Sequence, residues 1–241
     1  MAVNAPVLRP MELGQGATAH REVYQRLREA LMTGQLRPGQ PISIRYLAQM
    51  LAVSTTPVRE ALRCLEADRA LVSGANRTLT VPMLSPADLR EMRNIRLALE
   101  GLATEEAATL ISAAELADLE RLCLGMDAAV DADDFDGYLR SNWRFHREIY
   151  GASRSELLLA MIEGLWLRVG PFIRLALPRP AHLQHSMACH WAALEALRRR
   201  DAAAARAAIV DDISGAAGDL GRLLAADQPP AVGGTAKKER K

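Results

Sequence analysis

Apolar side chains at Val23, Leu27, Ala30 and Leu31 recur three and four residues apart, the spacing of one helix face, and Gly34 supplies a stop. Pro38-Gly39 then demands a turn, and Pro41-Ile42 suits a short extended piece. Ser43 is a good N-cap for a second short helix running to Leu51. After a break at Ala52-Val53, Ser54 can cap a third helix, with Pro57 in its first turn, where a missing N–H costs nothing. Leu71-Val72 and Leu79-Thr80-Val81 are short β-prone runs around SGANRT, which predicts a small hairpin with Asn76 and Arg77 near its tip. Helix, short helix, helix and hairpin, in that order, make a winged helix-turn-helix.

From Pro86 onward no segment has the pattern of a strand. Helical stretches are expected at 86–109, 113–131, 134–150, 154–176, 181–200 and 202–224, with breaks at Ser112, Asp133, Gly151, Pro178-Pro180 and Asp201. Pro82 to Pro86 reads as a linker, with Ser85 capping the next helix. The expected organisation is therefore mainly α. A flexible N-terminus (1–17) precedes a winged helix-turn-helix domain (18–82). An antiparallel helical bundle (83–225) follows, and then a disordered tail (226–241) that carries the chain's only lysines, Lys237, Lys238 and Lys241.

Composition agrees. Of the 241 residues, 49% are hydrophobic and 24% charged, enough apolar material for two globular domains, and only 4% are aromatic. The net charge of +1 conceals an asymmetry: residues 1–82 hold ten Arg against six acidic residues, whereas the remainder carries a small negative excess. A mildly basic front half is compatible with a polyanionic partner. Cys64, Cys123 and Cys189 are odd in number, far apart and without ligand spacing, and read as small buried hydrophobes in a reducing compartment. No apolar run approaches the ~20 residues needed to span a bilayer, so a cytoplasmic protein without a membrane partner is expected.

Arg59 and Arg63 lie four residues apart on the third helix and share a face, about 40° apart around its axis. Ser54, Thr55 and Thr56 stand at its N-terminal end, where hydroxyls and free N–H groups suit phosphate. Val58, Leu62 and Leu65 point the other way, into the domain, and Arg45 on the preceding helix can add a contact. The alternative is that Arg59 and Arg63 form solvated pairs with Glu60 and Glu66. The supporting helix, Pro57 and the hairpin with Arg77 together favour a DNA-reading element.

The stretches RLREALMTGQLRPGQPIS and LAQMLAVSTTPVREALRCLEADRALV resemble the winged helix-turn-helix of GntR-family regulators, and VSxTPVREALxxLE matches over many consecutive positions. The resemblance implies a homodimer on a palindromic double-stranded operator, with Arg59 and Arg63 at base- or phosphate-contacting positions. Thr55 stands where the family often has Arg, and Arg69 and Thr78 stand at usual Gly positions before and at the wing. DLREMRNIRLALEGLATEEA, NWRFHREIYGASRSELLLAMIEGLW and HWAALEALRRRDAAAARAAIVDDI resemble the all-helical (FCD) effector domain of the FadR-type branch.

Many domains of that kind hold a divalent metal through an Asp or Asn, a His four residues later and two further His. Asn142 and His146 have the first spacing, His190 matches the next His, and Asp212 replaces the last. Geometry offers separate support. If the last two helices turn antiparallel at Asp201, then His190, eleven residues before it, faces Asp212, eleven after, and a third helix can bring His146 and Asn142 to them. Asp211 rivals Asp212 if the last helix starts one residue off. Such a donor set suits Zn²⁺, Mn²⁺, Fe²⁺ or Ni²⁺ with open positions for a carboxylate. His182 and His185, near a Pro-rich turn, are expected to be exposed, and Trp143 and Trp166 to belong to the core.

By the same resemblance Arg96 is the cation for an organic-acid effector; the other reading is a surface Arg96–Glu100 pair. The expected function is ligand-modulated repression, in which effector binding shifts the placement of two DNA-binding heads. One rival is a regulator with a metal-free pocket for an acyl or lipid-like ligand. Another is a non-haem metalloenzyme, which leaves the DNA-binding head unexplained and offers no second acid-base group, so no enzymatic activity is expected.

Overall fold

A computed structural model describes residues 17–74, 78–177 and 179–226. Most of both expected terminal segments, the lysines at the end of the chain, and the wing tip with Asn76 and Arg77 lie outside the described residues. The chain first forms α1 (Ala17–Met32), α2 (Ile44–Met50) and α3 (Thr55–Ala67), then the strands β1 (Val72–Ser73) and β2 (Leu79–Thr80). Six further helices follow: α4 (Pro86–Leu110), α5 (Ala113–Asp131), α6 (Phe135–Gly151), α7 (Glu156–Ala176), α8 (Pro180–Arg198) and α9 (Ala202–Ala226).

In the head, α1 packs against α3, and Val23, Leu27 and Leu31 meet Val58, Leu62 and Leu65 in one buried core. The Ser43 hydroxyl accepts from the Tyr46 N–H and caps α2 as its sequence predicts. Ser54 occupies the N-cap of α3 with extended backbone, but its side chain makes no capping hydrogen bond. The third helical residue is Pro57, which lacks the N–H that the Ser43, Ser85 and Ser112 caps accept from at that position. The hairpin is antiparallel with Val72 opposite Thr80, and Pro41 makes a single isolated bridge to Thr80. Arg69 sits just beyond α3 with φ 57°, the left-handed conformation that glycine adopts at lower cost.

The bundle helices begin where short polar side chains satisfy their first N–H groups. Ser85 with Asp88 and Ser112 with Glu115 form full capping boxes, Asp134 caps α6, and the Asp201 carboxylate accepts from Ala204 N–H at the head of α9. The break expected at Asp133 falls there, Asp133 having φ 53° just before the cap. Helix α9 packs between α4 and α8, and α5 lies on α6 and α8.

Head and bundle meet through α1 and α7. Gly34 ends α1 with φ 66°, and a Cβ there would lie 2.7 Å from Arg174 Cβ. Gly170 permits still closer approach, since a Cβ on it would stand 2.5 Å from the Leu31 carbonyl oxygen and 2.6 Å from Met32 Cα. Arg28 of α1 bridges the contact to Glu163 of α7 at 2.7 Å, and Arg147 of α6 joins the same carboxylate at 3.0 Å.

Candidate nucleic-acid interface and candidate metal centre

Val58, Ala61, Leu62 and Leu65 are buried in the head, so the α3 backbone is fixed by its apolar side. Arg59 and Arg63 are exposed on the other side, together with Ser54 and Thr56; Thr55 is half-buried and Arg45 on α2 is exposed. Among the described residues neither arginine pairs with Glu60 or Glu66; Glu66 instead accepts from the Ser73 hydroxyl at 2.5 Å. The residue after Arg63 shares the outward arc, and so Cys64 is exposed rather than buried as expected. Cys123 and Cys189 are buried.

In the bundle, α6, α8 and α9 bring His146, His190 and Asp212 together at 1%, 0% and 7% exposure. The two Nε2 atoms are 3.3 Å apart, His146 Nε2 is 3.4 Å from Asp212 Oδ2, and His190 Nε2 is 3.8 Å from Asp212 Oδ1. The equidistance of His190 and Asp212 from Asp201 therefore does bring them face to face. Asn142, one turn before His146, is also buried and lines the same small cavity of about 20 Å³. Asp211 is excluded from this set: it is exposed on the outer side of α9.

The surrounding hydrogen bonds fix the orientation of His146. Tyr150 has one hydroxyl proton and gives it to Glu100 Oε2 at 2.5 Å, so at 2.9 Å it must accept from His146 Nδ1. The bond at Nδ1 orients the ring so that its Nε2 edge faces His190 and Asp212. His190 Nε2 shares a hydrogen bond with His146 Nε2, and among the described residues the buried His190 Nδ1 has no hydrogen-bond partner. Asp212 is held by the Ser186 hydroxyl at 2.7 Å, and Tyr138 donates to Ser186 at 3.1 Å. Burial pushes His190 down to about 4 against the pull of Asp212, so its imidazole is neutral at neutral pH. Burial opposes ionisation of Asp212, but His190, His146 and Ser186 outweigh it and hold the carboxyl well below its usual range.

These residues fit a divalent ion. Bonds of about 2.0–2.2 Å from N and O ligands put neighbouring donors about 3.0–3.5 Å apart, close to two of the three separations seen. An imidazole oriented by a buried hydrogen bond, a second, neutral imidazole and a carboxylate are the donor chemistry such ions take.

Arg96 is buried, at 6% exposure, and pairs with the fully buried Glu100 through Nε at 2.5 Å. The i,i+4 pair thus exists, but inside the bundle rather than on its surface. Arg96 also lies over the Trp166 ring, whose N–H donates to Glu100. Trp143 and Trp166 are core residues with ring centres 4.8 Å apart, although Trp166 also lines the small cavity. His182 is buried, not exposed as expected, because Asp219 of α9 accepts from it at 2.7 Å. Arg96, Ile173, Ile213 and Ala216 are shared with a second chamber of about 400 Å³, walled by Leu89, Val169, Phe172 and Leu220 and bordered by Arg90 and Arg93.

Sequence reasoning missed Tyr150, Ser186 and Tyr138. The signal was present for two of them: Tyr150 follows His146, and Ser186 precedes His190, by one helical turn.

Residues 19–81 match the family described as bacterial regulatory proteins, gntR family, and residues 91–215 match the FCD domain. The chain belongs to the GntR family. It is similar to the HTH-type transcriptional regulator McbR of Escherichia coli (strain K12), with 32% identity over 75% of this chain and 82% of that one. It is also similar to the Nta operon transcriptional regulator of Aminobacter aminovorans, with 30% identity over 70% and 80% of the two chains. The solved structure of E. coli McbR/YncC superposes with a TM-score of 0.81 at 29% identity, covering 87% of this chain and all of that one. A putative GntR regulator from Rhodococcus sp. RHA1 shares the fold, with a TM-score of 0.70 at 20% identity over 87% of this chain and 99% of that one. These relatives are named as transcriptional regulators, not enzymes. This GntR-family chain has no helix among its described residues long and apolar enough to cross a membrane.

Proposed function

We propose that this GntR-family regulator is a cytoplasmic, homodimeric repressor that releases a palindromic operator when a small organic acid binds its helical domain. The observation that carries this reading is the convergence of His146, His190 and Asp212 from three helices, beside Asn142, at the end of an apolar chamber that Arg96 borders. A divalent ion there would supply Lewis-acid anchorage for the effector's carboxylate. The chamber favours an acid with an apolar body, its polar end toward the histidines and its body against Val169, Phe172 and Leu220. Operator contact is assigned to Arg59, Arg63, Arg45, Ser54, Thr55 and Thr56, with Arg77 of the wing.

Helix α7 supports the coupling of pocket to head. Its Trp166 and Ile173 line the small cavity, and its Gly170 and Glu163 touch α1. An effector that fits only one placement of α7 biases the head's position by its differential affinity for the two arrangements. The test is elemental analysis of untagged protein, followed by a thermal-shift screen of carboxylates with and without chelator and operator titrations with each hit. Stoichiometric metal, and a chelator-sensitive acid that weakens operator binding, are expected. Acids that bind equally well in chelator favour the metal-free pocket for an acyl ligand, and a hit that leaves operator affinity unchanged overturns the sensor reading.

A further inference from the structure

A second cluster lies on the outer side of the α8–α9 hairpin. His185 Nε2 is 3.7 Å from Cys189 Sγ, Cys189 Sγ is 3.7 Å from Asp211 Oδ2, and the triangle closes at 4.0 Å between His185 and Asp211. His185 and Cys189 are one turn apart on α8, and Asp211 faces them from α9. We propose that these three side chains form a surface site for a thiophilic divalent cation, with Zn²⁺ the best fit, separate from the buried centre.

Distances support this. A tetrahedral zinc with bonds of about 2.3 Å to sulfur and about 2.0–2.1 Å to nitrogen or oxygen sets its ligand atoms about 3.3–3.6 Å apart. The two sulfur edges at 3.7 Å nearly meet this spacing, the His185–Asp211 edge at 4.0 Å is wider by about 0.6 Å, and the Asp211 side chain, 67% exposed, is free to close it.

The backbone of α9 accommodates the imidazole. A Cβ on Gly215 would stand 2.6 Å from both Cδ2 and Nε2 of His185, so only glycine lets the ring lie across α9 beside Asp211. Thiolate with imidazole is a soft donor pair that selects zinc over magnesium or calcium. Among the described residues Asp211 has no arginine partner, its one ion-pair partner being His185. Cys189 is buried while the other two ligands are exposed, which shields the sulfur and leaves a coordination position open to water or an added ligand. The competing reading is three side chains in loose mutual hydrogen bonding. The site's neighbours on the chain, His190 and Asp212, belong to the inner centre, so an ion outside clips together the two helices that carry those groups.

Cobalt separates the two centres because only the outer one contains sulfur. The full-length, reduced, metal-stripped protein titrated with Co²⁺ should develop a thiolate-to-cobalt charge-transfer band in the near ultraviolet, which Zn²⁺ then bleaches. Cys189→Ser and His185→Ala should each abolish the band, whereas Cys64→Ser, Cys123→Ser and Asp212→Ala should keep it. Retention in Asp212→Ala keeps this test independent of the inner metal. Absence of the band in folded wild-type protein, or its survival in Cys189→Ser, overturns the site. Should Cys189→Ser fail to fold, His185→Ala decides, its side chain being 40% exposed.

Discussion

His146 and His190, 44 residues apart in the chain and on two different helices, present their Nε2 atoms to each other at 3.3 Å. Fixing two imidazoles nose to nose inside a bundle requires that each be oriented from behind. Only His146 is: its Nδ1 is tied through Tyr150 to Glu100, whereas among the described residues His190 Nδ1 has no partner. If the proposed ion binds here, that asymmetry makes His146 the ligand already oriented for it and His190 the one that has to be turned.

Tyr150→Phe tests that orientation. Removing the hydroxyl should weaken metal binding about 10–100-fold, the usual effect of losing a ligand's hydrogen-bond partner. Stability should fall by about 1–3 kcal/mol because Glu100 and His146 each lose a buried bond. Competition with a chelator of known affinity measures the first, and unchanged metal affinity would remove Tyr150 from the site.

Chelated protein should lose stability as pH falls from about 6.5, where an unfolded histidine titrates, toward about 4, where His190 titrates in the fold. In that window the unfolded state binds a proton that the native state refuses. Denaturant midpoints across the range check the direction, and His190→Leu should flatten the dependence.

On α3, Arg59→Ala and Arg63→Ala should each cost about 1–3 kcal/mol of operator affinity where the side chain reaches a base, or lower the salt slope by about one where it reaches phosphate. Stability should stay within about 0.5 kcal/mol, because both side chains are exposed. Fluorescence anisotropy at several salt concentrations distinguishes these outcomes. Wild-type affinity in both variants would move the reading element elsewhere.

Gly170→Ala places a methyl group against the Leu31 and Met32 backbone, which cannot turn aside as a side chain does. The expected loss is about 1–3 kcal/mol, with α7 displaced from α1. Calorimetry should show a lower Tm, and if none follows, the contact between head and bundle is looser than the 2.5 Å approach implies.

Arg69→Gly should do the reverse. Relief of the left-handed backbone at φ 57° is worth up to about 1 kcal/mol, partly offset by the entropy glycine adds to the unfolded chain. A lower denaturation midpoint in this variant would mean that the Arg69 side chain holds the wing in place.

Local chemistry determined much of this protein within the sequence itself. Ser43, Ser85, Ser112 and Asp201 mark helix starts because capping depends on residues three or four positions away, and the apolar spacing of Val58, Leu62 and Leu65 fixes which side of α3 faces outward. The reach of His190 to Asp212 was also legible, since a hairpin of two regular helices turns equal distances from the bend into contact. Tertiary packing alone decided the rest. Burial of Arg96, Glu100 and His182 depends on which helices close over them, and local spacing reads an i,i+4 ion pair in the same way on a surface or in a core. The orientation of His146, set through Tyr150 by Glu100, and the seat of His185 over Gly215 each depend on atoms from a different helix. A one-dimensional pattern cannot specify such distances; only the packed bundle sets them.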